Sequence, residues 1–324
     1  MVFLIQKTML FAIPLLIVAL AGMFAERSGI INIALDGIMI FGSFVGAMTV
    51  YAFQDGSILV GYPQITYLIA MAVSALAGAL FSLLLSFSAI KLKADQTISG
   101  TALNLLAPAI SLFIIKVLFL QDRLEMPRDT GFIIFNGDMS DIGRAFFDKA
   151  YISTYISIGL FIVLSIFVYK TKYGLRLRAC GEHPQAASSV GINVSRMRYV
   201  GTTISGALAG LGGYVYIATT ASGTSEGTVA GMGFLALAIM IFGNWKPLGI
   251  ALGSLLFGFL QCIAPIYSQL DLNGDGVCAL KDLGLPMYFY KMIPYIVVLI
   301  VLAFTSSRSR APKAEGIPYD KGQR

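Results

Sequence analysis

The stretch KTKYGLRLRACGEHPQAASSVGINVSRMR, Lys170 to Arg198, decides how the rest of the chain is read. It holds Lys170, Lys172, Arg176, Arg178, Arg196 and Arg198 against one acid, Glu182, in a 324-residue chain whose formal net charge is +6. Positive charge beside membrane spans marks the cytoplasmic side, so this loop orients its flanks. Its middle also has the make-up of a short helix. Pro184 stands in a first-turn position just after Glu182, and Gly191 supplies a stop. Between them Ala186, Ala187 and Val190 form a small apolar patch. So short a helix is not stable alone. It makes sense where a partner offers a groove, although an amphipathic loop lying at the membrane interface would have the same composition.

Outward from this loop the chain is apolar. Hydrophobic residues make up 57% and charged residues 12%, with mean hydropathy +0.79, whereas soluble domains carry about 25% charged residues. The apolar runs have the length of membrane-crossing helices, not the short alternating segments of a transmembrane barrel. The expected fold is therefore all-α, a polytopic transmembrane helical bundle of about nine or ten spans. Spans are placed at 3–24, 29–53, 64–90, 97–120, 151–169, 199–221, 229–243, 247–267 and 288–305. The first reads as a retained span and not as a signal peptide. Cys180, Cys262 and Cys278 have no paired spacing, so neither a disulfide framework nor a zinc site is implied. No charge run resembles a nucleic-acid footprint.

Charge then divides the chain into a transmembrane domain, 1–306, and a cytoplasmic tail, 307–324. The tail carries Arg308, Arg310, Lys313, Lys321 and Arg324 against Glu315 and Asp320. Working backward, loop 268–287 faces outward, the turn GNWKP (Gly243 to Pro247) inward, 170–198 inward, and 121–150, with six acids against four bases, outward. Lys91 and Lys93 read as inside, which leaves Lys7 outside if every span crosses. One segment between residues 3 and 53 is therefore expected to be broken or re-entrant. The candidate is GIINIALDGIM, with Asn32 and Asp36 inside an apolar run, where polar groups normally face a cavity or another helix. Gly223 to Gly243 is a related stretch with one acid, Glu226. Duplicated, interrupted spans in matching positions are a transporter signature; abundant Gly and Ala in membrane helices would give the same likeness.

Candidate path residues are Asn32, Asp36, Gln96, Thr97, Asn104 and Glu226; each could equally serve as a helix–helix hydrogen bond or a cap. Asp95 and Thr97 look like caps for a helix starting near Ile98. Gly206, Gly210 and Gly213 form a packing face. The loop DLNGDGVCALKDL follows the spacing of an EF-hand at Asp271, Asn273, Asp275, Gly276 and Asp282, with Val277 supplying a carbonyl. Calcium there is one reading. An acidic turn is the other, because the last ligand is Asp rather than Glu and no flanking EF helices are evident.

The segment GLRLRACGEHPQAASSVGINVSRMR, followed by SGALAG, is similar to the coupling segment of bacterial ABC-importer permeases of the branched-chain amino acid, simple sugar and nucleoside superfamily. ERSGIINIALDGIM (Glu26 to Met39), DQTISGTALNLLA (Asp95 to Ala107) and FGNWKPLG (Phe242 to Gly249) match as well, and RAPKAEGIPYDK resembles the nucleoside-type branch. The resemblance implies a non-catalytic, multi-pass subunit of the bacterial inner membrane. ATP would be hydrolysed on two cytoplasmic ATPase partners. A second permease, identical or different, would complete the pathway, and an extracytoplasmic solute-binding protein or lipoprotein would deliver a nucleoside or related sugar. Arg178, Glu182, His183, Pro184, Gln185 and Gly191 would form the ATPase-coupling site. The absence of a phosphate loop of the G-x-x-x-x-G-K-[ST] type agrees. His183 reads as a contact or cap and not as a pH sensor. No cofactor is expected beyond the calcium considered above. Two other classes remain: a secondary transporter using Asp36 and Glu226, and a calcium-responsive channel built on Asp271–Asp282.

Overall fold

The computed structural model describes residues 2–55, 61–126, 150–267, 285–305 and 310–320. The EF-hand-like loop, Asp271 to Asp282, lies outside the described residues, as does most of loop 121–150. Eleven helices occur among the described residues: α1 Val2–Arg27, α2 Leu35–Asp55, α3 Pro63–Ile90, α4 Gln96–Phe119, α5 Ile152–Lys170, α6 Lys172–Glu182, α7 Pro184–Ser189, α8 Val194–Thr219, α9 Met232–Phe242, α10 Pro247–Ile266 and α11 Met287–Thr305. Every expected span appears as a helix. Seven are long and apolar enough to cross a membrane, while α9 and α11 are shorter apolar helices. One strand pair, β1 Leu124–Glu125 with β2 Thr224–Ser225, joins two loops.

The chain punctuates these helices with local chemistry. The Asp95 carboxylate accepts the N–H groups of Thr97 and Ile98 (2.8 and 3.0 Å) to start α4. Thr171 Oγ1 caps α6, Pro184 opens α7, Gly191 takes φ +82° to end it, and Asn193 Oδ1 accepts Arg196 N–H to begin α8. Lys170 to Arg198 is thus two short helices and not one, joined at His183, whose backbone both closes α6 and opens α7.

α8 is the central post, packed on α1, α2 and α3. Its small-residue face explains the closeness. A Cβ on Gly210 would stand 2.4 Å from the carbonyl oxygen of Ser74 on α3, and one on Gly213 would stand 2.0 Å from that of Met39 on α2. Tyr214 and Tyr67 fill the space beyond, fully buried, with ring centroids 5.3 Å apart. The outward faces of α3, α4, α5 and α10 are apolar, exposing Leu80, Leu105, Val163 and Leu252, as lipid contact requires.

Two irregular breaks reverse the chain, one after α1 and one after α8, at opposite ends of the bundle. α1 ends at Arg27, where the guanidinium donates to the Trp245 carbonyl just past α9 (3.0 Å). At the other end of the bundle, Thr220 Oγ1 after α8 donates to the Leu10 carbonyl of α1 (3.3 Å). So α1 runs toward the basic end, breaks, and continues as α2 away from it. α8 runs away, breaks, and returns as α9. At 11 residues α9 is about 16 Å long, half of a hydrocarbon core of about 30 Å.

Candidate functional site

The first break, residues 28–34, climbs the side of α4. Ile31 N–H donates to Gln96 Oε1 (2.8 Å). Two turns further along α4, Asn104 takes both sides of the chain: its Nδ2 donates to the Ile33 carbonyl (2.9 Å) and its Oδ1 accepts Gly37 N–H (2.7 Å). Asn32 Nδ2 donates to Ser205 Oγ of α8 (2.9 Å). Non-helical backbone at membrane depth must be satisfied by neighbouring protein, and these amides supply that. Asn32, Gln96 and Asn104 are thus each hydrogen-bonded across elements in this conformation. Asn32 Oδ1 and Gln96 Nε2 are buried and without a hydrogen-bond partner among the described residues, which leaves unfilled capacity beside the break.

The second break, 220–231, leads into α9, whose N-cap position is Gly231 with no side chain to offer. Asp36, in the first turn of α2, supplies the missing acceptor: its Oδ1 receives Gly233 N–H (2.9 Å). The approach is tight, since a Cβ on Gly233 would stand 2.4 Å from Asp36 Cα. Two helix starts, one after each break, thus meet through a carboxylate. Asp36 sits where an α-helix N-terminus favours negative charge. Glu226 is not part of this junction. It is exposed at the opposite end, beside a cleft lined by Phe113, Lys116, Asp122 and Arg123.

A cavity of about 360 Å³ that the sequence reading did not anticipate lies between α1, α8, α10, α11 and the second break. Tyr216, Thr220, Gln261, Lys291 and Tyr295 line it, with Ala230 of the break and Met232 at the start of α9. Small-molecule sites fall in the range of about 300–1,000 Å³, with a few convergent polar groups. Tyr295 OH donates to the Ala230 carbonyl (3.2 Å), while the Gln261 amide meets only the Met232 sulfur among the described residues, at 3.9 Å. Gln261 was the findable residue, an amide within an apolar helix.

At the basic end the predicted coupling residues divide in two. His183 and Gln185 are exposed, with Ala186 and Val190 beside them; Val190 is 75% exposed. Pro184 and Ala187 turn inward and are buried, so the expected apolar patch is split between two faces. Arg178 packs its guanidinium over the Tyr169 ring (4.9 Å to the centroid) and does not project outward. Glu182 lies 3.9 Å from Arg27, a weak pair at best given its exposure. The firmer link is steric, because a Cβ on Gly181 would stand 2.4 Å from the Arg27 carbonyl oxygen. The end of α6 therefore sits on the end of α1, at the lip of the first break. Across the same surface, Trp245 Nε1 donates to Glu26 Oε2.

Seven helices long and apolar enough to cross a membrane, a half-length helix α9 whose start is held by Asp36, and a short exposed helix beside the end of α1 describe a multi-pass membrane transport protein. The chain belongs to the family described as branched-chain amino acid transport system / permease component, which matches residues 4–302. It is 40% identical to the guanosine ABC transporter permease protein NupQ of Bacillus subtilis, over 99% of this chain and 97% of that one. With the nucleoside ABC transporter permease protein NupC of Lactococcus lactis it shares 35% identity over 98% and 97%. With the nucleoside ABC transporter permease protein NupB of the same organism it shares 26% over 94% and 83%. No solved structure matches the chain.

Proposed function

We infer that this chain is a permease subunit of an ATP-driven importer for nucleosides. Its near-full-length likeness to two permeases named for guanosine and nucleoside transport carries the reading. The basic end faces the cytoplasm, as the charge of Lys170–Arg198 requires, and the Lys7 end of α1 faces outward. ATPase subunits dock on α7 through His183, Gln185, Ala186 and Val190. An extracytoplasmic binding protein delivers the solute at the opposite end. A second, different permease completes the pathway; Lactococcus lactis has two proteins carrying this permease name, and the chain is nearer to one than to the other.

The mechanism follows from the geometry. Displacement of α7 moves α6, whose end rests on Arg27, so force reaches the lip of the first break without passing through a flexible linker. That break and α9 are joined by Asp36, and a shift of one displaces the other. The nucleoside's hydroxyls and base edge are met by amides and phenols: Gln261, Tyr216 and Tyr295 in the cavity, then Asn32 and Gln96 as the break opens. Asp36, the acid on which a secondary transporter would rely, is already engaged as the acceptor of the α9 N-terminus. The test is uptake of labelled guanosine in cells expressing the chain with its partner subunits. ATP depletion should abolish uptake and a protonophore with ATP clamped should not; the reverse result rejects the reading.

A further inference from the structure

The segment Arg310–Asp320, read from sequence as a charged tail, lies across the basic end as a strap stitched to five elements. Arg310 N–H donates to Asn244 Oδ1 in the turn after α9 (3.0 Å). Ala314 N–H donates to the Gly181 carbonyl at the end of α6 (2.8 Å). Arg198 Nη1 of α8 donates to the Ile317 carbonyl (3.0 Å), and Lys93, between α3 and α4, pairs with Asp320 (2.7 Å). The fifth attachment is to α1, where the Glu315 carboxyl lies against the Glu26 carboxyl, its Oε2 buried and without a hydrogen-bond partner among the described residues. Ala314 is 6% exposed, Glu26 4% and Arg198 1%. A solvated tail would bury none of them. The fit is close, for a Cβ on Gly29, itself at φ +93°, would stand 2.9 Å from Arg198 Nη2 and 3.4 Å from the Ala314 carbonyl oxygen.

Two carboxyls in contact need a shared proton, since paired carboxylates repel. Burial supports this by pushing the Glu315 carboxyl up to about 7. The charged and titratable groups nearby do not substitute for the proton. The Arg27 guanidinium is turned onto the Trp245 carbonyl and toward Glu182. Arg198 is turned to the Ile317 carbonyl, with Cys180 and Tyr319 as its electrostatic neighbours. Lys93 is engaged with Asp320.

We propose that the strap is a working part of the coupling apparatus, with Glu26 and Glu315 as positioning residues. The proton they share fastens the strap against the end of α6, so that α6, the end of α1 and the turn after α9 are displaced together. This rests on the reading of α6–α7 as the ATPase-docking segment. The linkage has a definite sign. The docked strap holds its proton more tightly than a free tail, so docking is fullest below the ordinary carboxyl value and is lost as pH rises through about 7.

The test has two arms. In the first, the full chain in lipid nanodiscs is followed by hydrogen exchange at the Ala314 amide, expressed as a protection factor. Wild type should lose about tenfold in protection between pH 6 and 8.5. Glu315→Gln, which keeps a donor toward Glu26, should be protected equally at both, and Glu315→Ala should be unprotected at both. In the second, complexes purified with the ATPase are assayed for stimulation of ATP hydrolysis by solute-loaded binding protein. Wild type and Glu315→Gln should respond, and Glu315→Ala should not. A flat wild-type profile, a Gln variant that keeps the wild-type profile, or an Ala variant that couples normally overturns the proposal. An intact profile with no ATPase co-purifying would sink the functional reading and the coupling role with it, whereas a flat profile in a working complex sinks the strap alone.

Discussion

Replacing Asp36 by Ala should detach the start of α9 from the first turn of α2. The variant removes the acceptor of the Gly233 N–H bond, 2.9 Å long, at a helix whose own N-cap residue, Gly231, supplies none. Losing an N-cap acceptor costs about 0.5–2 kcal/mol, and leaving a buried N–H unpaired costs about 1–3 kcal/mol. These describe the same loss and do not add, so about 2 kcal/mol is expected, or roughly a 30-fold shift toward the open junction. Asp36→Asn keeps an acceptor oxygen within reach and loses only the charge–dipole contribution, about 0.3–1 kcal/mol. The assay is hydrogen exchange at the Gly233 amide in nanodiscs, with thermal unfolding of the detergent-solubilised chain alongside. An Ala variant that protects Gly233 to within about threefold of wild type, a difference of about 0.65 kcal/mol, would refute the junction.

The small-residue face of α8 predicts a contrast. Gly210→Ala pushes a Cβ toward the Ser74 carbonyl oxygen, 2.4 Å away, and should lower stability by about 1–3 kcal/mol. Gly159→Ala in α5 meets nothing within 4 Å and should stabilise by up to about 1 kcal/mol; thermal midpoints of the two variants decide it. Glu182→Gln combined with Gln185→Ala should leave membrane insertion intact and uncouple uptake, and normal uptake in that variant would remove the coupling role. Gln261→Leu is of nearly equal volume and should raise the half-saturating solute concentration for uptake severalfold while leaving the melting temperature in place. A melting shift with no change in uptake would make Gln261 a structural residue instead.

Much of this was legible in the chain because it is encoded locally. Span positions follow from runs of apolar residues, the start of α4 from Asp95, and the end of α7 from Gly191. The irregular stretch at residues 28–34 falls where GIINIALDGIM stands out in the sequence, but α1 and α2 on either side are each long enough to cross, so Lys7 stands outside and the charge of Lys91 and Lys93 did not require a broken span. What the sequence could not supply were partnerships between distant residues. Asp36 and Gly233 are 197 positions apart, and nothing in either neighbourhood specifies the other. Asn104 reads as a polar residue in a span, whether it lines a path or holds a backbone. The Lys172–Glu182 helix was hidden because its composition is that of a basic loop, and only packing of Leu177 and Cys180 against the bundle makes it a helix. The strap was hidden for the opposite reason. Its charges suggested solvent, whereas its backbone and Glu315 are used for docking.

In the proposed mechanism α7 transmits ATPase closure to the two breaks and so drives nucleoside entry. The assay is purified importer reconstituted in proteoliposomes, with labelled guanosine and binding protein outside and ATP enclosed on the ATPase side. ATP should drive accumulation with wild-type chain, and the Glu182→Gln, Gln185→Ala variant should hydrolyse ATP without accumulating guanosine. Equal ATP-driven accumulation by wild type and variant would rule out coupling through α7.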